Sequence, residues 1–138
     1  MLQIIYISNA AFSFSEKDLE ELLVQSRDYN NSKKITGLLI YHHESFVQLI
    51  EGPKKEISKL YSKIENDSRH YSLTIVHEEQ IEKKEFSNWS MGFVDSRNIK
   101  QPVEGFVDFK SELDKLINDG TKAKRILNVF YELENNQL

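Results

Sequence analysis

Cysteine is missing from all 138 residues. That excludes a disulfide framework, a thiol nucleophile, cysteine-ligated zinc and iron–sulfur clusters. Proline and glycine are scarce, at 2 and 5, and the chain has no low-complexity linker and no internal repeat. No apolar run approaches the ~18 residues that span a bilayer. Met1 to Ser8 is apolar but lacks the basic stretch and long apolar core of a signal peptide, and it reads as a strand. Positive charge is not in excess: 18 basic against 22 acidic residues leave a net charge of −4, which disfavours direct nucleic-acid binding. There is no Gly-x-Gly-x-x-Gly or phosphate loop, so nothing points to a Rossmann or nucleoside-triphosphate site. His42, His43, His70 and His77 show no metal-ligand spacing, and no metal is expected. Asn-x-Ser triplets begin at Asn30, Asn66 and Asn88 but mean little without a secretion signal. The expectation is a cytoplasmic protein with no membrane association.

What remains is 39% hydrophobic and 29% charged, the balance of a globular chain the size of one ordinary domain. Residues 2–8 read as a strand, with Leu2, Ile4, Tyr6 and Ser8 on one face. Ser15 with Asp18 forms a capping-box pattern with Asp in place of Glu. Leu19, Leu22, Leu23, Ser26 and Asn30 then recur at helical spacing, predicting a helix over 16–30. Strands follow at 35–41 and 45–51, joined through His42-His43-Glu44 as a hairpin. Gly52-Pro53 stops the second and opens a helix whose buried stripe is Ile57, Leu60, Tyr61 and Ile64. Two further strands, at 72–80 and 89–95, flank a charged connection at 82–85. The order β-α-β-β-α-β-β predicts an α+β, ferredoxin-like sheet with both helices on one face. The other face needs cover. Phe106, Phe109, Leu113, Leu116 and Ile117 form one stripe, and Ala123, Ile126, Leu127 and Phe130 form another, on either side of Gly120-Thr121. That is a helical hairpin. The division expected is 1–98 for the sheet domain and 99–138 for the hairpin extension packed on it.

Several polar residues sit where apolar ones would be unremarkable. Gln48 lies between Val47 and Leu49 and shares its strand face with Phe46 and Ile50. It is either an edge-strand glutamine pointing at water or an amide aimed at a polar ligand in an apolar pocket. Tyr6, on an apolar face, is either a core tyrosine whose hydroxyl found a carbonyl or part of a site. Asn30 at the end of its stripe reads as a helix terminator. Arg69 and His70 in a charge-rich segment read as a solvated helix end, and Trp89 and Met91 as core packing.

Taken together, Tyr6-x-Ser8, Asn30, Ile35-Thr36-Gly37, Phe46-x-Gln48-x-x-Glu51-Gly52, Asp67-x-Arg69-His70 and Trp89-Ser90-Met91 resemble the BLUF family of flavin-using blue-light sensors. The match covers about residues 2–96. The tail resembles the short, effector-free members with two C-terminal helices. The resemblance implies FAD, with FMN as the alternative, held between the two helices with its ring edge over the sheet. Asn30 then matches the asparagine on the flavin N3–H and C4=O edge, and Arg69 an arginine near C2=O. Gln48 matches the glutamine that bridges Tyr6 to N5 and O4. Ile35, Phe46 and Ile64 match apolar pocket positions, Ser8 counts with them as a cofactor-binding residue, and Lys63 stands near the ribityl phosphate. Tyr29 receives no role. The photoswitch implied is Tyr6, Gln48, Trp89 and Met91, with no substrate turned over. The resemblance also implies a downstream signalling protein as partner and a homo-oligomer. A small flavin-dependent redox enzyme and a ligand-free ferredoxin-like interaction module are the alternatives. The chemistry is consistent with the resemblance: glutamine and asparagine each carry a donor and an acceptor, matching the adjacent polar atoms on a flavin's rim.

Overall fold

Apolar residues on both faces of a strand predict burial on both faces, and the two central strands behave so. The computed structural model describes residues 1–86 in full and the backbone of residues 92–95. In chain order the elements are β1 (Leu2–Ala10), α1 (Glu16–Lys33), β2 (Thr36–His42), β3 (Ser45–Gly52), α2 (Lys54–Glu65), β4 (His70–Gln80) and β5 (Gly92–Asp95). The sheet order is β4-β1-β3-β2-β5. β1 pairs antiparallel with β3 and β4, β2 pairs antiparallel with β3, and β5 joins β2 in parallel. The first six elements are the expected ferredoxin-like arrangement, with β5 added beyond β2.

Local chemistry explains the boundaries. Ser15 Oγ accepts from the Asp18 N–H at 3.1 Å while the Ser15 N–H donates to Asp18 Oδ2 at 3.0 Å, a reciprocal cap that starts α1. α1 runs three residues beyond Asn30, contrary to the terminator expected there. The left-handed residue is Lys34 (φ 57°, ψ 37°), and the N–H groups of Lys34 and Ile35 both donate to the Asn30 carbonyl. Asn30 therefore closes the helix with its backbone, which leaves its side chain to face inward. Pro53 sits at the N-cap of α2, one position ahead of the first turn. The β2–β3 hairpin turns on His43 and Glu44, both at positive φ (46° and 60°), as a two-residue turn that matches strand twist requires. The Glu44 carbonyl then accepts from the Ala10 N–H at 2.7 Å. β4 starts two residues earlier than expected and is irregular against β1, with register shifts at Ile5/Tyr6 and Ile7/Asn9.

Two glycines are fixed by close approach. A Cβ on Gly37 would lie 2.1 Å from the Leu49 carbonyl oxygen, and one on Gly52 would lie 2.9 Å from that of Lys34. Only hydrogen fits at either place.

One sheet face, with Ile4, Phe46, Ile50, Leu39 and Tyr41, packs with Leu19 and Leu23 of α1 and Ile57 and Leu60 of α2. The opposite face is also buried: Ile5, Leu38, Val47 and Leu49 are all buried. That explains the unbroken apolar runs of β2 and β3. The helical hairpin expected on this face falls outside the described residues. Among the described residues no helix is long and apolar enough to cross a membrane.

Candidate functional site

β3 lies between β1 and β2, so Gln48 is not an edge residue. The register sets Tyr6 opposite Gln48 on one side and Leu39 opposite Gln48 on the other. All three point to the helix-covered face. Tyr6 and Gln48 are 3% and 6% exposed, and the Tyr6 hydroxyl donates to Gln48 Oε1. The tyrosine found a side-chain amide rather than a backbone carbonyl. Burial pushes the Tyr6 phenol far above its ordinary pKa, and nearby Tyr61 and Asp67 push in the same direction. Its proton is therefore held. The ring is met edge-on by Tyr61 at 5.8 Å and His70 at 6.1 Å.

This pair forms part of the floor of a cavity of about 820 Å³, its open mouth included, lined from α1, α2 and the sheet. Its apolar lining is Phe14, Leu22, Leu39, Phe46, Leu60 and Ile64. Tyr6, Gln48 and Asn30 bring polar groups into that lining, and Asn30 is only 1% exposed. Toward the rim lie Gln25, Ser26, Tyr29, Lys63, Asp67, Arg69 and His70. Few convergent polar groups in an otherwise apolar lining suit a flat ring with a hydrogen-bonding edge. A flavin isoalloxazine has that character, so the donor set fits it.

The rim is ordered by its own bonds. Arg69 Nε donates to both Asp67 carboxylate oxygens, at 2.9 and 3.0 Å, and Nη2 donates to Oδ2 at 2.5 Å. Nη1 donates to Gln25 Oε1 at 3.1 Å, tying the turn after α2 to α1. The hydrogen bond from Arg69 holds the Asp67 carboxyl below its ordinary pKa. Lys63 Nζ stands 4.5 Å from the centre of the Tyr29 ring, a cation–π contact. His70 Nε2 donates to the Ile64 carbonyl at 2.7 Å, because a carbonyl can only accept. In the neutral ring Nδ1 then accepts from the Ser8 hydroxyl at 2.8 Å.

Of the residues singled out by sequence, Tyr6, Asn30, Phe46, Gln48, Lys63, Ile64 and Arg69 converge on this cavity. Ser8 and Ile35 do not line it. Ser8, 1% exposed, stands behind His70, and Ile35 is a core residue close to Gly52. Trp89 and Met91 lie outside the described residues. Reading the residues one by one missed Phe14, Gln25, Tyr29, Leu39, Asp67 and His70 as lining groups. Two signals were available. Leu22, Gln25, Ser26, Tyr29 and Asn30 share one helical stripe at spacings of three and four. Phe14 precedes the N-cap and joins Leu19 in the core, a hydrophobic staple.

Comparison with known proteins points the same way. The family model for BLUF, "Sensors of blue-light using FAD", matches residues 1–92. A photoactivated adenylate cyclase subunit beta from Euglena gracilis is 34% identical over 87 residues, covering 62% of this chain and 10% of that protein. The blue light- and temperature-regulated antirepressor BluF of Escherichia coli (strain K12) is 28% identical over 94 residues, covering 68% of this chain and 23% of that protein. The dark-state structure of BlrB, a BLUF protein, superimposes with a TM-score of 0.68 at 28% identity, covering 86% of this chain and 85% of that one. The chain thus spans about a tenth of the adenylate cyclase subunit and about a quarter of the antirepressor.

Proposed function

Because the chain belongs to the BLUF family, we propose that it is a blue-light sensor holding FAD in the cavity between α1, α2 and the sheet, where FMN would fit the same ring site. Bound flavin supplies blue-light absorption and an electron-accepting ring. The chain supplies everything that makes the absorption a signal. Asn30 would take the N3–H and C4=O edge with its donor and acceptor, Arg69 would serve the C2=O side, and Phe46 and Ile64 would enclose the ring. Lys63 stands toward the phosphate end, and Ser8 acts through the orientation of His70. With flavin bound, the Tyr6 phenol would supply an electron to the ring and, through its hydrogen bond to Gln48, a proton toward N5. Once both had returned to Tyr6, the Gln48 amide would stand in a second hydrogen-bonded arrangement that bonds the C4=O edge more strongly. Trp89 and Met91 complete the switch.

The observation that carries this reading is the buried hydrogen bond from Tyr6 to Gln48 on the floor of the cavity. Buried amides ordinarily sit among fixed partners, and one that faces a ligand-sized space can change partners when the ligand does. No substrate is turned over. The output is a changed surface presented to a separate signalling protein, and the sensor works as a homo-oligomer. Residues 1–98 form the sensing unit and 99–138 the extension. Absorption spectra of the FAD-loaded protein before and after blue light test the proposal. A flavin band that shifts to the red and recovers in darkness supports it. A protein that fails to retain FAD, or a spectrum unchanged by light, overturns it.

A further inference from the structure

A second polar pair occupies the same two strands on the opposite face of the sheet. Gln3 pairs with Glu51 across β1 and β3, Gln3 with Glu79 across β1 and β4, and Thr36 with Glu51 across β2 and β3. These four residues form one polar rung across four strands. Gln3 and Glu51 are both fully buried, at 0% exposure.

The Glu51 carboxylate lies at the centre. Oε2 accepts from Gln3 Nε2 at 2.9 Å. Oε1 accepts from the Phe86 N–H at 2.5 Å and, at the long limit of 3.5 Å, from the Thr36 hydroxyl. Phe86 is itself 4% exposed, and it stands six residues before β5. Because Gln3 Nε2 is committed to Glu51, Gln3 Oε1 is what faces His77 Nε2 at 3.0 Å, and that nitrogen must donate. His77 Nε2 also lies 3.3 Å from Glu79 Oε2. One carboxylate thus dictates an amide orientation and a histidine tautomer on one side, and the path of the chain after β4 on the other. Burying a carboxylate is expensive and is a poor way to gain stability alone.

We propose that Glu51 is a positioning residue that fixes where the chain after β4 rejoins the sheet as β5, and so couples the strand that carries Gln48 to that return. The role rests on the photosensor reading. Gln48 and Glu51 belong to one strand, three residues apart, so a shift of β3 under a rearranged Gln48 moves the anchor that holds Phe86. β5 pairs only with β2 in the described sheet, which makes its placement sensitive to that anchor.

Hydrogen exchange by NMR on the full chain tests this, with two variants. Glu51→Ala removes the acceptor, and the Phe86 amide should exchange at least about tenfold faster while the flavin red shift persists. Light should alter exchange of the Gly92–Asp95 amides in the wild type and not in Glu51→Ala. Glu51→Gln keeps an oxygen for the Phe86 N–H but turns an NH2 toward Gln3. Gln3 must then flip, and His77 must become an acceptor at Nε2, visible as Nδ1–H in its nitrogen chemical shifts. A side chain that merely filled space would move neither signal. If Glu51→Ala does not fold, the Glu51→Gln measurements decide by themselves. Unchanged Phe86 exchange in Glu51→Ala, an unchanged His77 tautomer in Glu51→Gln, or a light response in β5 that survives Glu51→Ala overturns the proposal. Failure of the wild type to red-shift sinks the photosensor reading instead, and the dark Phe86 and His77 signals still judge the anchor.

Discussion

Tyr6–Gln48 and Gln3–Glu51 are the same construction on two faces of one sheet. Each is a cross-strand pair on β1 and β3, each is buried, and each joins its members by a side-chain hydrogen bond. They differ in what lies in front of them. Tyr6 and Gln48 look into the cavity between the helices and the sheet, whereas Glu51 is met by Gln3, Thr36 and the Phe86 backbone. A polar pair closed in by protein donors holds one arrangement, because any other leaves a buried group unmet at about 1–3 kcal/mol. A pair facing a ligand has a second arrangement available whenever the ligand offers new partners. On the proposed reading the same chemistry yields an anchor on one face and a switch on the other.

The sharpest way to break this contrast is to remove each pair in turn. Tyr6→Phe should retain FAD and lose the light-induced red shift entirely, because phenylalanine has no phenolic proton to give, and Gln48→Leu should lose it because leucine cannot relay one. Absorption spectroscopy reads both. Gln3→Leu should do the reverse. It leaves a Glu51 oxygen without its donor, costing about 1–3 kcal/mol of stability in a denaturant titration, with the red shift preserved. A photocycle in Tyr6→Phe, or its loss in Gln3→Leu with FAD still bound, would erase the distinction.

Sequence alone could not have drawn it. Gln3 sits between Leu2 and Ile4 just as Gln48 sits between Val47 and Leu49, and strand periodicity reports which side a residue faces, not whether that side is filled or hollow. The family resemblance singled out Gln48; the folded chain supplies the cavity that distinguishes it. Fold class was legible because element order, the Ser15–Asp18 cap and the glycines of Thr36-Gly37 and Glu51-Gly52 each carry a local signal. Asn30 reads in the sequence as a helix terminator, whereas α1 continues to Lys33, and its inward side chain became visible only once Lys34 took the left-handed position. His70 was obscure because its role depends on Ser8, 62 positions away in sequence.

Smaller effects sharpen the picture of the switch side. Asn30→Ala should weaken FAD retention by about tenfold to a hundredfold, at 1–3 kcal/mol for lost hydrogen bonds to a buried ring edge, with the red shift intact in molecules that remain loaded. Equilibrium dialysis of FAD would show it. The rim should respond to acid more weakly. Asp67 is held below its ordinary value of 3.8 by Arg69, so its contribution is complete above that value and is lost only as pH falls through the lowered one. An NMR titration of the Asp67 carboxyl should place its midpoint below 3.8. Tyr6, pushed upward by burial, keeps its proton throughout, and the photocycle should not change with pH between 6 and 9 through this group.

The most direct test of the switch is the light-minus-dark absorption spectrum of the FAD-loaded wild type beside that of FAD-loaded Tyr6→Phe. A red shift that reverses in darkness is expected for the wild type and a flat difference for the variant. Equal reversible shifts in both proteins would contradict that expectation.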